Sequence, residues 1–185
     1  RLVKKIEENQ DQLRLACPYH PSIYSLDGID QQVLQNALEP DEALVEIIRV
    51  KEFKTELTDQ FRIGFTENYF YVALILRPDA PLKAIRIQQP PLMDNAYFSF
   101  YRNSLEFDMT DTLSYARYWA DIQTELDNVK RVFVNNDGVY HKLNLNSLFD
   151  PSSKSYLIEK YDIHLITNPT DILKKQSPNN TPGRA

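Results

Sequence analysis

The stretch VFVNNDGVYHKLNLNSLFD, residues 132–150, decides the fold class of this chain. It begins with a short run of β-branched and aromatic residues, breaks at Asn-Asn-Asp-Gly (135–138), and then alternates apolar and polar residues. The first run predicts a buried strand. Asp137-Gly138 predicts a reversal, because glycine adopts the positive φ that tight turns need. The alternation of Val139, His141, Leu143 and Leu145 predicts a half-exposed continuation.

Further strands are predicted before this stretch. ALVEIIRV (43–50) is short and dense in β-branched residues, and YFYVALIL (69–76) is continuously apolar. An apolar run of that length predicts a central strand that is covered on both faces. We expect a turn at Gly64 and Glu67-Asn68 before this run, and a further strand over residues 82–87.

Helices are predicted over residues 1–16, 30–38 and 94–129. In the last of these, five large apolar residues recur at spacings of four and three, which predicts one buried helical seam: Tyr115, Trp119, Ile122, Leu126 and Val129. Asp108 and Asp111 lie near the start of this seam, where acidic side chains can cap free N–H groups. The single tryptophan is interpreted as a core residue and not as a platform for a cofactor.

The C-terminal part predicts two more strands, over residues 131–134 and 162–166. Asn168-Pro169-Thr170-Asp171 predicts a loop that caps a short final helix, and QSPNNTPGRA (176–185) has the composition of a linker. Helix followed by strand beside earlier strands predicts crossover connections, and therefore an α/β fold.

Composition excludes several classes of protein. The chain has 185 residues, enough for one domain, and its net charge of −5 argues against a nucleic-acid surface. One cysteine cannot form an internal disulfide, so nothing indicates an oxidising compartment. The longest apolar run is far shorter than a membrane span of ~20 residues. We expect a cytoplasmic piece of a longer protein without a membrane segment.

The residues alone do not predict a catalytic site. Cys17 and His20 lie close together in CPYH, but in a proline-broken connector and without the further ligands that zinc needs. His141 and His164 are single histidines in strand-like segments, which are usually surface residues or satisfied core residues. The four glycines are isolated, which excludes phosphate-binding loops. We therefore expect no catalytic, metal-binding or cofactor-binding residue in this chain.

The stretch that starts at residue 131, followed by YLIEKYDIHLIT (156–167), resembles the early core of a CHAT domain, a caspase-like module of the separase and caspase clan. YFYVALILRPD (69–79), YRNSL (101–105) and SYARYW (114–119) resemble the bacterial members, so the resemblance spans roughly residues 40–172. The residues that match the family pattern around the turn are Val132, Val134, Asp137, Gly138, Asn144, Leu145, Leu148, Tyr156, Leu157, Glu159, Tyr161, Ile163 and Thr167.

The resemblance implies a caspase-like three-layer αβα sandwich, present here as the portion before the catalytic dyad and preceded by an N-terminal helix. CHAT peptidases use a histidine in a His-Gly motif and a cysteine in a Ser-Ala-Cys-like motif, each after a later strand of the sheet. This chain has neither motif, so its own cysteine and histidines do not inherit the role.

The implied organisation is a helical linker over residues 1–39, the first part of the CHAT domain over 40–172, and a tail over 173–185. Expected partners are the dyad-bearing remainder of the domain, upstream helical repeats and a protein substrate. The function implied is cysteine endopeptidase, although this chain alone should be inactive. The rival interpretation is a non-catalytic interaction or scaffold module with a degenerate caspase-like fold.

Overall fold

The structure, a computed structural model, describes residues 29–55, 64–87 and 90–176. The chain divides into two units, Arg1–Gln32 and Val33–Ala185, and the architecture that follows is that of the second. The helix predicted over residues 1–16, the CPYH connector and most of the C-terminal tail lie outside the described residues.

The strands of the described part are β1 (Glu42–Lys54), β2 (Gly64–Arg77), β3 (Ala80–Ile87), β4 (Arg131–Asn135), β5 (Phe149–Asp150), β6 (Ser155–Tyr156) and β7 (Asp162–Ile166). Its α-helices are α1 (Gln31–Asn36), α2 (Pro90–Leu92), α3 (Phe98–Glu106), α4 (Ser114–Tyr118), α5 (Ala120–Gln123) and α6 (Leu157–Lys160). A π-helical turn, Met93–Tyr97, joins α2 to α3. The 3₁₀-helices are Gly138–Lys142, Leu145–Ser147 and Pro169–Gln176.

Five strands form a mixed sheet in the order β3-β2-β1-β4-β7. The three strands β1, β2 and β3 pair antiparallel, whereas β4 pairs parallel to both β1 and β7. The helical segments between β3 and β4 and between β4 and β7 supply the crossovers that parallel pairing requires. The predicted α/β class is therefore confirmed as a mixed α/β fold with a five-stranded sheet.

One face of the sheet forms the main core. Ala43, Val45 and Ile47 of β1 alternate toward this face, and the helical segments after β3 pack on it. Trp119 is 1% exposed within this core, which confirms its interpretation as a core residue.

The opposite face is covered at one end only. Leu44, Leu76 and Phe133 pack there against the segment after α1 and against Ile172 of the last 3₁₀-helix. Farther along β1 and β2, apolar side chains on this face such as Ile48 and Val72 are half-buried. The prediction that residues 69–76 are covered on both faces is thus correct for only part of the strand.

A chain of charged side chains crosses the start of the three parallel strands. Arg131 donates from Nη1 to Oε1 of the buried Glu42 at 3.2 Å and from Nε to Oδ2 of Asp162 at 2.8 Å. His164 Nε2 lies 3.0 Å from the same Asp162 oxygen. Because these residues lie on β1, β4 and β7, their pairing favours the observed register over a one-residue slip.

The predicted helix over residues 94–129 is broken into short pieces. The five seam residues are all buried, as predicted. However, Trp119 has φ −134° between α4 and α5, and α5 ends at Gln123. Asp111 lies outside the helices, before α4, and caps its start. Its Oδ1 accepts from the N–H groups of Leu113 and Ser114 at 3.0 and 2.9 Å. Apolar spacing predicted the buried face correctly but could not reveal the breaks between helices.

One predicted turn also differs. Glu67-Asn68 lies inside β2, near the point where the register with β1 shifts between Lys51 and Phe53. The Thr66 and Asn68 side chains donate there to Glu52 of the facing strand. The half-exposed continuation predicted after Gly138 is confirmed, since Val139, Leu143 and Leu145 are buried and His141 is exposed. This segment forms two short 3₁₀-helices, Gly138–Lys142 and Leu145–Ser147. Gly138 has φ +58°, which confirms the predicted positive φ.

Candidate functional site

A groove of about 500 Å³ lies at the carboxyl ends of the parallel strands. Glu46 and Ile48 of β1 line one side, and Asn135 at the end of β4 lines the other together with Asn136 and Asp137, which follow it. His141 and Thr167 complete the rim. The groove is the part of the molecule where the carboxyl end of β4 meets β1.

The topology of the sheet gives this place its significance. From β1 the chain runs outward through β2 and β3, and it then returns to the other side of β1 to form β4 and β7. The point between β1 and β4, where the strand order reverses, is where open α/β sheets leave a crevice for a ligand. The groove therefore occupies the position in the fold that is best suited to a binding or catalytic site.

Glu46 is the central charged side chain of the groove. It faces Asn135 across the β1–β4 ladder, and the Asn135 amide Nδ2 donates to both carboxylate oxygens at 2.9 and 3.1 Å. Burial raises the pKa of Glu46 above its ordinary value, the Asn135 hydrogen bond opposes that rise, and the nearby Asp137 charge adds to it. The Asn135 hydrogen bonds thus orient the Glu46 carboxylate but do not fully offset the cost of burying its charge.

Asp137 fixes the turn that walls the groove. Its Oδ1 accepts from the N–H of Gly138 at 2.7 Å, and its Oδ2 accepts from the N–H of Arg49 on β1 at 2.9 Å. Asn136 donates from Nδ2 to the carbonyl of Tyr140 at 3.3 Å, while its buried Oδ1 has no partner among the described residues. The turn thereby presents acceptor oxygens on a backbone that is anchored to the sheet.

Three buried tyrosines pack beneath this turn. The rings of Tyr71 and Tyr118 each meet the ring of Tyr140 edge-on, at 5.5 and 5.7 Å between centroids. Tyr140 donates its hydroxyl hydrogen bond to the carbonyl of Tyr118, and Tyr118 donates to the carbonyl of Met93. Burial raises the pKa of all three hydroxyls, so they stay neutral and act as fixed hydrogen-bonding groups.

The histidines named from the sequence do not come together as a pair. His141 lies on the 3₁₀-helix at the groove, whereas His164 lies on β7 in the charged chain that begins at Glu42. Both are exposed. Cys17 and His20 lie outside the described residues.

Sequence reasoning missed Glu46 and Asn135. A signal was present: Glu46 is the one charged residue inside ALVEII (43–48), and Asn135 directly follows a β-branched run. A polar residue within a buried strand needs a partner, but the partner is defined only by the parallel pairing of two strands that are far apart in sequence.

The groove offers carboxylate and amide oxygens, an imidazole and a hydroxyl. These groups can receive hydrogen-bond donors and cationic groups from a bound molecule. Among residues 29–55, 64–87 and 90–176, no three or more His, Cys, Asp or Glu side chains are grouped to hold a metal ion. No helix in this described part is both long and apolar enough to cross a membrane.

Comparisons with known proteins add no relative. No protein-family model matches the chain, and no curated protein matches it.

Proposed function

We propose that this chain is the N-terminal, scaffold-forming part of a CHAT-type caspase-like cysteine endopeptidase that cleaves a protein substrate. In this proposal the sheet is the first part of a caspase-like three-layer sandwich, and the histidine–cysteine dyad lies in residues that follow Ala185. The proposal rests on the sequence resemblance over residues 40–172, and the geometry of the sheet supports it.

The state of β7 is the observation that carries the proposal. This strand pairs with β4 on one side, and its other side has no strand partner among the described residues. Leu165 of β7 and Ile158 of the preceding α6 are each 64% exposed. A strand edge with exposed apolar side chains readily accepts another strand. The next strands of the sandwich, which carry the dyad in the family, would pair there in the direction of β4 and β7.

The groove fits the same proposal. Strands added beside β7 in parallel would end on the same edge of the sheet as β4 and β7, so residues that follow them would face the groove. There the histidine takes the proton of the cysteine thiol, and the thiolate attacks the carbonyl carbon of the scissile peptide bond. The imidazolium returns the proton to the departing amine, and water then hydrolyses the thioester.

The first test is the DNA sequence downstream of this chain. It should encode a His-Gly motif after one strand and a Ser-Ala-Cys-like motif after the next. The extended protein should then cleave itself or a protein substrate, and a variant with that downstream cysteine changed to alanine should not. A stop codon directly after this chain, or unchanged cleavage by the alanine variant, would overturn the proposal.

A second candidate is a non-catalytic interaction module with a degenerate caspase-like fold. The feature that favours it is an exposed aromatic pair: Phe53 and Phe65, near the far end of the β1–β2 hairpin, are 50% and 72% exposed with ring centroids 5.0 Å apart. Exposed aromatic groups of this kind mark protein contact sites. Replacing both with serine would abolish partner binding by such a module, whereas the peptidase would keep its dyad-dependent cleavage.

A further inference from the structure

The hydroxyl of Tyr71 joins three elements at one point. Tyr71 lies on β2 and is completely buried. Its hydroxyl donates to Oδ1 of Asp94 in the π-helical turn at 2.7 Å, and it accepts from the backbone N–H of Val139 at 2.9 Å. Val139 directly follows the Asp137-Gly138 turn that walls the groove, so one hydroxyl connects β2 and the helical layer to that wall.

The direction of these two hydrogen bonds is determined by their partners. A backbone N–H can only donate, so the Tyr71 oxygen accepts from Val139 and its hydrogen must go elsewhere. The Asp94 carboxylate also accepts from the Tyr69 hydroxyl at 2.7 Å and lies 3.7 Å from the Arg49 guanidinium. The Tyr71 hydrogen is therefore donated to Oδ1 of Asp94. The Tyr71 hydroxyl is therefore held with one fixed pair of roles: it accepts from Val139 and donates to Asp94.

Gly138 provides an independent observation. A Cβ atom on this residue would lie 2.2 Å from the Tyr71 hydroxyl oxygen and 2.8 Å from its Cε1. The backbone of the turn thus approaches the tyrosine more closely than any residue with a side chain could. Glycine is required here by its neighbour as well as by its φ of +58°.

We propose that Tyr71 is a positioning residue for the groove, whose hydroxyl holds the Asp137–Val139 turn in place. The turn then has two anchors. The Asp137 carboxylate is bound to β1 through the Arg49 N–H, and Val139 is bound to β2 through Tyr71. The wall of the groove, including the Asp137 side chain and His141 one turn farther on, keeps its place because both anchors belong to the sheet. The effect on cleavage rests on the proposed function, whereas the effect on the turn does not.

Tyr69 offers a matched control. Its hydroxyl donates to the same Asp94 carboxylate, but it has no hydrogen bond to the turn among those of the described residues. We expect Tyr71→Phe to speed amide hydrogen exchange at Val139 roughly tenfold relative to Val134 in β4, because it removes a buried hydrogen bond from that N–H. Tyr69→Phe should change this ratio less than about twofold. Equal effects of the two variants, or none from Tyr71→Phe, would overturn the proposal.

Unaltered protein supplies a measurement that does not depend on either variant. The Val139 amide should exchange within about tenfold of the Val134 rate, as a buried and bonded group does. Exchange as rapid as that of an exposed loop would contradict the proposal even if Tyr71→Phe failed to fold.

A final arm uses the extended protein with its downstream dyad. There, Tyr71→Phe should lower kcat/KM for a peptide substrate about tenfold, and Tyr69→Phe less than twofold. If the extended protein cleaves nothing, the proposed function fails, and the exchange measurements still decide whether Tyr71 positions the turn. If it cleaves and both variants are equally active, the positioning role in the groove is excluded.

Discussion

Gly138 and Tyr71 show how two residues far apart in sequence determine one local conformation. The glycine is required where the turn touches the tyrosine, and the tyrosine oxygen accepts from the Val139 N–H only because the turn comes so close. The local turn sequence explains the positive φ of Gly138 but not the close approach of Tyr71. The groove wall is therefore a product of tertiary contact as much as of turn propensity.

Gly138→Ala should lower the free energy of unfolding by about 3 kcal/mol, from the positive φ and from the collision with Tyr71. Gly64→Ala is the control: Gly64 also has a positive φ, +153°, but a Cβ there would meet nothing within 4 Å. That variant should lose about 1 kcal/mol. Urea denaturation measures both, and equal losses would show that the approach of Tyr71 does not constrain the turn.

Glu46→Gln should raise the free energy of unfolding at pH 7. Because burial raises the folded-state pKa of Glu46, ionisation costs stability as the pH rises from the ordinary carboxyl range through the raised value, and the cost is complete above it. The gain from the substitution should therefore fade as the pH falls below the ordinary pKa.

Glu52→Gln is the control, for which we expect a change in the free energy of unfolding of the opposite sign. Hydrogen bonds from Asn68 and Thr66 lower the pKa of this carboxyl, so its stabilising contribution is present above the ordinary pKa and disappears as the pH falls through the lowered value. The variant should be less stable than the original protein at pH 7. Unfolding curves from pH 3 to pH 8 that shift in the same direction for both variants would contradict this assignment of the two carboxyls.

At the level of elements, the sequence predicted the strands well and the helices less well. Residues 162–166 were predicted as a strand and are β7, because alternation and flanking turns define a short strand locally. The helix over 94–129 was wrong as a single element, since the seam stays buried through the break at Trp119. The groove could not be predicted either, because it depends on the parallel pairing of β1 with β4. The paired positions of these strands are more than eighty residues apart in sequence.

The two edges of the sheet should differ in their tendency to associate. β3 has Pro81 and Lys83, which discourage pairing, whereas β7 exposes Leu165. The 185-residue chain should therefore self-associate in solution through β7. Leu165→Lys should weaken that association about tenfold, since it removes one apolar side chain from the contact.

Leu82→Lys, on the opposite edge, is the matched control, because Leu82 is 42% exposed on β3. It should leave the association constant unchanged. Sedimentation over a range of concentrations measures both variants. A monodisperse monomer of the original chain, or an equal effect of the two substitutions, would show that β7 is not the contact edge.

At the level of the whole molecule, the groove and the exposed strand edge belong to the same five-stranded sheet. The β1–β4 junction forms the crevice, Tyr71 and Asp137 fix its wall, and the outer side of β7 has no strand partner among the described residues. A peptidase assembled in this way would have its scaffold in this chain and its reactive groups in the strands added to β7.

Hydrogen exchange at the β7 amides that point away from β4 tests whether further strands pair with this edge. It should be measured in the 185-residue chain at low concentration and in the protein extended through its downstream histidine and cysteine. We expect rapid exchange in the first and protection by roughly a hundredfold in the second, because a new strand pairs with β7. Equal rates in the two proteins would contradict it.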